Sequence, residues 1–169
     1  GTTFDYNGGT ITGNVDNSSN AATITFQNST TTLEGGLDNS GGGTVNADAD
    51  VEYDRASAGS AIDNSGGGSI SVASGATLTV DDTDSDGGTP ELAIENSGAN
   101  GISGDGTLRF TGDDGDTHEV TTQDGDNNPV PAVTADVGVE FDDGGGSNSQ
   151  NITIGGTLDA NAPVDFVDG

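Results

Sequence analysis

The sequence predicts an all-β chain wound as a parallel β-solenoid of about five to six irregular coils, in one domain over residues 1–169. Three observations carry that expectation. A phrase of an apolar residue, Asp or Glu, then Asn-Ser-Gly recurs at Leu37–Gly41, Ile62–Gly66 and Ile94–Gly98. Apolar and polar residues alternate in the stretches between the copies. Glycine and serine clusters separate those stretches, as turns require. A degenerate copy stands at Val15–Ser19 and another at Phe141–Gly145. The asparagines at 17, 39, 64 and 96 are 22, 25 and 32 residues apart, the length of one strand-and-turn repeat.

Taken along the chain, the first region runs from Thr2 to Gly13 and carries Phe4, Tyr6 and Ile11. Strand-like segments follow at 22–27, 43–47, 50–54, 69–73, 76–80, 91–95, 106–110, 137–141, 151–154 and 163–167. Thr23-Ile24-Thr25-Phe26, Ser69-Ile70-Ser71-Val72 and Thr77-Leu78-Thr79-Val80 each have period two, the mark of strands with one buried face. The unit from Ile62 to Val80 reads as strand, turn, strand, turn, strand, with Ile62, Ile70, Val72, Leu78 and Val80 inward. The matching inward positions are Leu37, Val45, Ala47, Val51 and Tyr53 one unit earlier, and Ile94, Ile102, Leu108 and Phe110 one unit later. Gly-Gly-Gly at 41–43, 66–68 and 144–146 precedes strand-like sequence each time. Two acidic segments, 81–90 and 112–131, read as loop inserts. No 3.6-residue pattern argues for a helix. A β-sandwich of pilin-like type is the alternative fold, since many short alternating strands fit it too.

Charge narrows the setting. The formal net charge is −27, and Arg55 and Arg109 are the only firm cations. Self-repulsion of that size destabilises a compact chain in dilute buffer. The Debye length shrinks to about 3 Å at 1 M salt, which removes most of the penalty. The balance resembles that of halophilic proteins; a calcium-rich habitat is the competing explanation. Nucleic acid is excluded as a partner by the absence of a basic surface. With no cysteine there is neither a disulfide nor thiol chemistry. No apolar run is long enough to span a membrane. The start at Gly1 rather than Met reads as a processed mature form.

The segments Gly67–Val80 and Gly104–Gly112 resemble repeats of secreted β-helix proteins, the autotransporter passengers and filamentous-haemagglutinin-type adhesins. The resemblance covers about residues 16–112 and rests on low-complexity Gly/Ser/Thr texture. It implies a right-handed parallel β-helix and an extracellular structural or adhesive role. The chain departs from those families in its missing lysine, its Asp loading and its shortness.

Candidate site residues follow from these patterns. Asn39, Asn64 and Asn96 are placed to stack as an internal amide ladder or to form the turns. Asp82, Asp84 and Asp86, followed by Gly87, match the first half of a calcium loop, in which alternate carboxylates converge on a hard cation. Ala93 stands where an EF-hand needs Glu, so only a looser Ca2+ site closed by Glu91 fits. Otherwise no cofactor is implied. Asn28-Ser29-Thr30 and Asn151-Ile152-Thr153 are N-glycosylation acceptors; Asn17-Ser18-Ser19 is a third, in conflict with an inward Asn17. His118, the one histidine, has no second nitrogen ligand to share a metal. No nucleophile elbow and no tryptophan platform is present, so an enzyme is not expected. The terminal segments around Phe4, Tyr6, Val164 and Phe166 read as exposed strand material able to recruit another copy. The leading expectation is a structural subunit of an extracellular filament or surface layer that polymerises through those strands. The alternative is an adhesin or glycan-binding module of a larger surface protein, with glycans or a cell surface as partner.

Overall fold

The structure, a computed structural model, describes residues 2–18, 22–54, 62–64, 66–82, 91–96, 102–112, 117–121, 133–134, 138–142, 151–154, 158–159 and 164–167. The described residues hold strands and turns and no helix. Coil one is β1 (Thr3–Tyr6), β2 (Gly9–Ile11) and β3 (Val15–Asp16); coil two is β4 (Thr23–Phe26), β5 (Thr31–Leu33) and β6 (Leu37–Asp38). Coil three is β7 (Thr44–Ala47), β8 (Val51–Asp54) and β9 (Ile62–Asn64); coil four is β10 (Ser69–Val72), β11 (Thr77–Asp82) and β12 (Glu91–Asn96). Coil five is β13 (Ile102–Ser103), β14 (Thr107–Gly112) and β15 (Thr117–Thr121); coil six is β16 (Val133–Thr134), β17 (Gly138–Asp142) and β18 (Asn151–Ile154). Strands β19 (Leu158–Asp159) and β20 (Val164–Val167) start a seventh turn.

Each strand pairs in parallel with the strand three places on, so the coils stack into three sheets of seven, seven and six strands. The fold is therefore a parallel β-solenoid. The β-sandwich alternative is excluded, because every pairing is parallel and runs between successive coils.

Register converts the alternating pattern into columns. On sheet one Phe4, Ile24, Val45, Ile70, Ile102, Val133 and Leu158 occupy one column. On sheet two Ile11, Leu33, Tyr53, Val80, Phe110, Phe141 and Phe166 do so. On sheet three the column is Val15, Leu37, Ile62, Ile94, Val120 and Ile154. Of these columns, Ile24, Val45, Ile70 and Ile102 on sheet one, Leu33, Tyr53, Val80 and Phe110 on sheet two, and Val15, Leu37 and Ile62 on sheet three belong to the core. Leu33, Tyr53, Ile62, Val80, Ile102 and Leu108 are completely buried. Each such side chain contributes about 1.5–3 kcal/mol, so a thin core suffices for a short coil. All the inward positions expected in units two and three are buried, in the registers expected.

Two segments differ from expectation. The stretch 112–131 contains β15, paired along its length with β12 and β18. The stretch 81–90 begins inside β11, where Asp81 and Asp82 pair with Thr111 and Gly112. Backbone pairing to both neighbouring coils outweighs the poor strand preference of Asp, His and Glu. The rest of both stretches lies outside the described residues.

Thr31 brings a buried polar group into the core. Thr31 is 1% exposed and its hydroxyl has no hydrogen bond. Replacing it by valine keeps the shape and removes that defect. Thr31→Val is expected to stabilise the chain by about 1 kcal/mol, read from the chemical denaturation midpoint; destabilisation would contradict it.

Candidate functional site: the asparagine ladder and the first coil

The recurring phrase is decoded by its geometry on sheet three. Its apolar residue enters the core column. The acid one place on points outward and closes a local turn: Ser18 N–H donates to Asp16 Oδ1 at 2.8 Å, and Ser40 N–H to Asp38 Oδ1 at 2.8 Å. Hydrogen bonds from Ser18, its side chain first and its backbone second, hold the Asp16 carboxyl below its ordinary value of 3.8. The acids at 16, 38, 63 and 95 are in register on successive coils, about 4.8 Å apart. Like charges directly opposite destabilise a strand pair, and screening salt lowers the cost of such a row.

The asparagine turns back inward. Asn17 Nδ2 donates to Asn39 Oδ1 at 2.7 Å, and Asn39 Nδ2 donates to Asn64 Oδ1 at 2.7 Å. The three residues are at most 1% exposed. The second N–H of each donor amide turns toward main-chain carbonyls: Thr44 and Ala22 at 3.4 Å for Asn17, Ser69 at 3.3 Å and Gly43 at 3.4 Å for Asn39. Asn96 is in backbone register with Asn64, on the next rung. Asn39 and Asn64 thus form the internal ladder expected of them. Asn17 joins it, which removes that amide from any glycosylation in the folded chain.

The triple glycines are explained by the same ladder. Gly42 and Gly67, the middle residues, have φ of +79° and +81°, a conformation that penalises a Cβ. Gly43 and Gly68, the last residues, lie against the ladder. A methyl at Gly43 would overlap the Asn17 amide, and one at Gly68 would overlap Asn39 Nδ2 and sit 2.9 Å from Asn64 Oδ1. Sequence reading assigned these glycines to turns alone; the third glycine of each run, four residues after Asn39 and four after Asn64, was the available signal.

The ladder has a direction, with Asn39 Oδ1 and Asn64 Oδ1 each accepting from the coil before. Coil one has no preceding coil among the described residues, and Asn17 Oδ1 is buried with no hydrogen bond. Around it the first coil is open. β1, β2 and β3 are edge strands of their sheets. Phe4 is 52% exposed, the one large exposed apolar residue described, while Tyr6 and Ile11 are partly buried. The Tyr6 ring lies 5.6 Å from the Phe26 ring, so the aromatic contact continues outward from the core to the edge. At the other end, Val164 and Phe166 lie on the edge strand β20.

A groove of about 390 Å³ crosses the outer face of sheet two. Hydroxyls of Thr30, Thr77 and Thr79, carboxylates of Asp50 and Glu52, and Arg109 line it, with no aromatic ring. Asn28 is exposed in a turn with φ of +69°, its amide donating to Asn7 Oδ1 at 2.6 Å. Asn151 begins β18. Of the calcium candidates, Asp82 ends β11 and Glu91 begins β12, while Asp84 and Asp86 lie outside the described residues. Among the described residues no three His, Cys, Asp or Glu side chains converge as metal ligands would. Among them, too, no helix is long and apolar enough to cross a membrane. No family model, no curated protein and no solved structure matches this chain.

Proposed function

We propose that this chain is a structural unit of an extracellular filament or surface layer of a salt-adapted cell. Units join through the open strands of their end coils, with Phe4 and Tyr6 at one end and Val164 and Phe166 at the other. The observation that carries this reading is the first coil: three unpaired edges flank an exposed Phe4 and a buried acceptor without a donor. Unpaired strand edges recruit further strands, and self-association buries surface that water otherwise meets. Calcium bridging of the acidic segments is compatible with such an assembly, and Asn28 and Asn151 are its glycosylation positions.

The test is light scattering and electron microscopy at high protein concentration, in about 3 M and in about 0.05 M salt, with and without chelator; the salt range spans nearly full screening to almost none. Folded, growing assemblies are expected in concentrated salt, and loss of β structure by circular dichroism in dilute salt. A monodisperse monomer in concentrated salt with calcium would overturn the reading.

The groove on sheet two favours a second reading, a glycan-binding module of a larger surface protein, because clustered hydroxyls and carboxylates pair with sugar hydroxyls. Retention on a glycan array by a chain that stays monomeric would favour it over the first.

A further inference from the structure

We infer that copies of this chain lie side by side through the outer face of sheet one, which carries no charge over coils two to five. This rests on the self-association reading and adds a lateral contact to it, one that does not depend on the end coils. Register decides which residues form the face. Ile24, Val45 and Ile70 point into the core, so their strand neighbours point outward. One outward column holds Thr23, Thr44 and Ser69. The other holds Thr25, Asn46, Ser71 and Ser103. Every one is a hydroxyl or a carboxamide, in a chain of net charge −27. The other two sheets differ. Glu52, Arg109 and Glu140 share an outward column on sheet two, and Asp16, Asp38, Asp63 and Glu95 form the row on sheet three. The nearest acids to the neutral face, Asp48 and Asp105, stand exposed in the turns beyond its strands.

A second copy is the occupant that this face fits. Two chains of this charge meeting through sheet two or sheet three set carboxylates against carboxylates, and like-charge juxtaposition suppresses association. Sheet one avoids that cost. Hydroxyl and carboxamide groups both donate and accept, so a face built from them is complementary to itself. Neighbouring hydroxyls on it already reach one another, Ser69 Oγ donating to Thr44 Oγ1 at 3.4 Å. Thr25, in the second column, is 8% exposed, and its hydroxyl makes no hydrogen bond among the described residues. The repeat matches as well. Both copies have the same rung spacing of about 4.8 Å, so the polar rows of one meet those of the other rung after rung. Area sets the strength. Four short strands offer about 200 Å² by their spacing and rise, against roughly 800 Å² per partner in a stable complex. A single contact is therefore weak, and it gains strength where many joined units present the face together.

The test compares two variants of equal net charge. Asn46→Asp with Ser71→Asp puts two carboxylates on the neutral face. Thr32→Asp with Thr79→Asp puts two on the outer face of sheet two. Association is followed by light scattering and sedimentation over a concentration series in about 1 M salt, where the Debye length is about 3 Å. Circular dichroism confirms that each chain keeps its β structure. The sheet-one pair is expected to raise the concentration needed for association by about tenfold or more, and the sheet-two pair by less than about threefold. If Asp disturbs the strands, the same four positions changed to Glu repeat the comparison.

Equal effects of the two pairs would show that net charge alone governs association and would overturn the inference, leaving self-association intact. Unchanged association of the sheet-one pair would overturn it in the same way. A parent chain that stays monomeric throughout would overturn the self-association reading, and the lateral contact with it.

Discussion

Asn39→Leu is expected to destabilise the chain by about 3–5 kcal/mol, with a large drop in the denaturation midpoint. Asn39 is the middle of the ladder and is completely buried. Its loss leaves the Asn17 amide without its 2.7 Å acceptor and Asn64 Oδ1 without its 2.7 Å donor. The carbonyls of Gly43 and Ser69 also lose the N–H groups aimed at them. Leucine is apolar and close in size, so its own burial offsets part of the cost, but the orphaned groups remain walled off from water. The measurement is denaturant unfolding followed by circular dichroism in concentrated salt. A change below about 1 kcal/mol would mean that water replaces the ladder, contrary to its burial.

Gly68→Ala is expected to cost about 2–4 kcal/mol, a large effect for one methyl group. The new Cβ would overlap Asn39 Nδ2, lie 2.6 Å from the Asn39 carbonyl and 2.9 Å from Asn64 Oδ1. Relief requires moving a rung that is hydrogen-bonded on both sides. Gly75→Ala is the control. Gly75 has φ of +82° with open space around its Cβ position, so only backbone strain of about 1 kcal/mol applies. Unfolding midpoints of the two variants separate close packing from backbone conformation. Equal losses would show that the ladder yields to the methyl.

The cost at Gly68 and the cost at Asn39 come from one arrangement, and its parts were unequally visible beforehand. Ile62, Ile70, Val72, Leu78 and Val80 were identifiable as one inward set because each strand alternates with period two. The asparagine spacing revealed the coil length, and the chemistry of a carboxamide, both donor and acceptor, marked it for a ladder. Other features left no such trace. β3 and β6 are two residues long, too short for alternation to register. In β5 a run of threonines hides Thr31, which is buried. In β15 His118 and Glu119 read as loop, yet both pair within a sheet. Asn17 sat in a damaged copy of the phrase, and its rank as a full rung came only with its neighbours in place.

Local pattern was sufficient for the repeat length, the all-β class, the inward columns and the net charge of −27. Each of these depends on properties of residues close in the chain, or on a sum of charges. Stacking was needed to assign the vector of the ladder, the lone acceptor at its first rung, the close approach of Gly43 and Gly68, and the row of carboxylates outside. Those are relations between residues 22 to 30 positions apart in sequence and one rung apart in space, and only the register of one coil on the next brings them into contact.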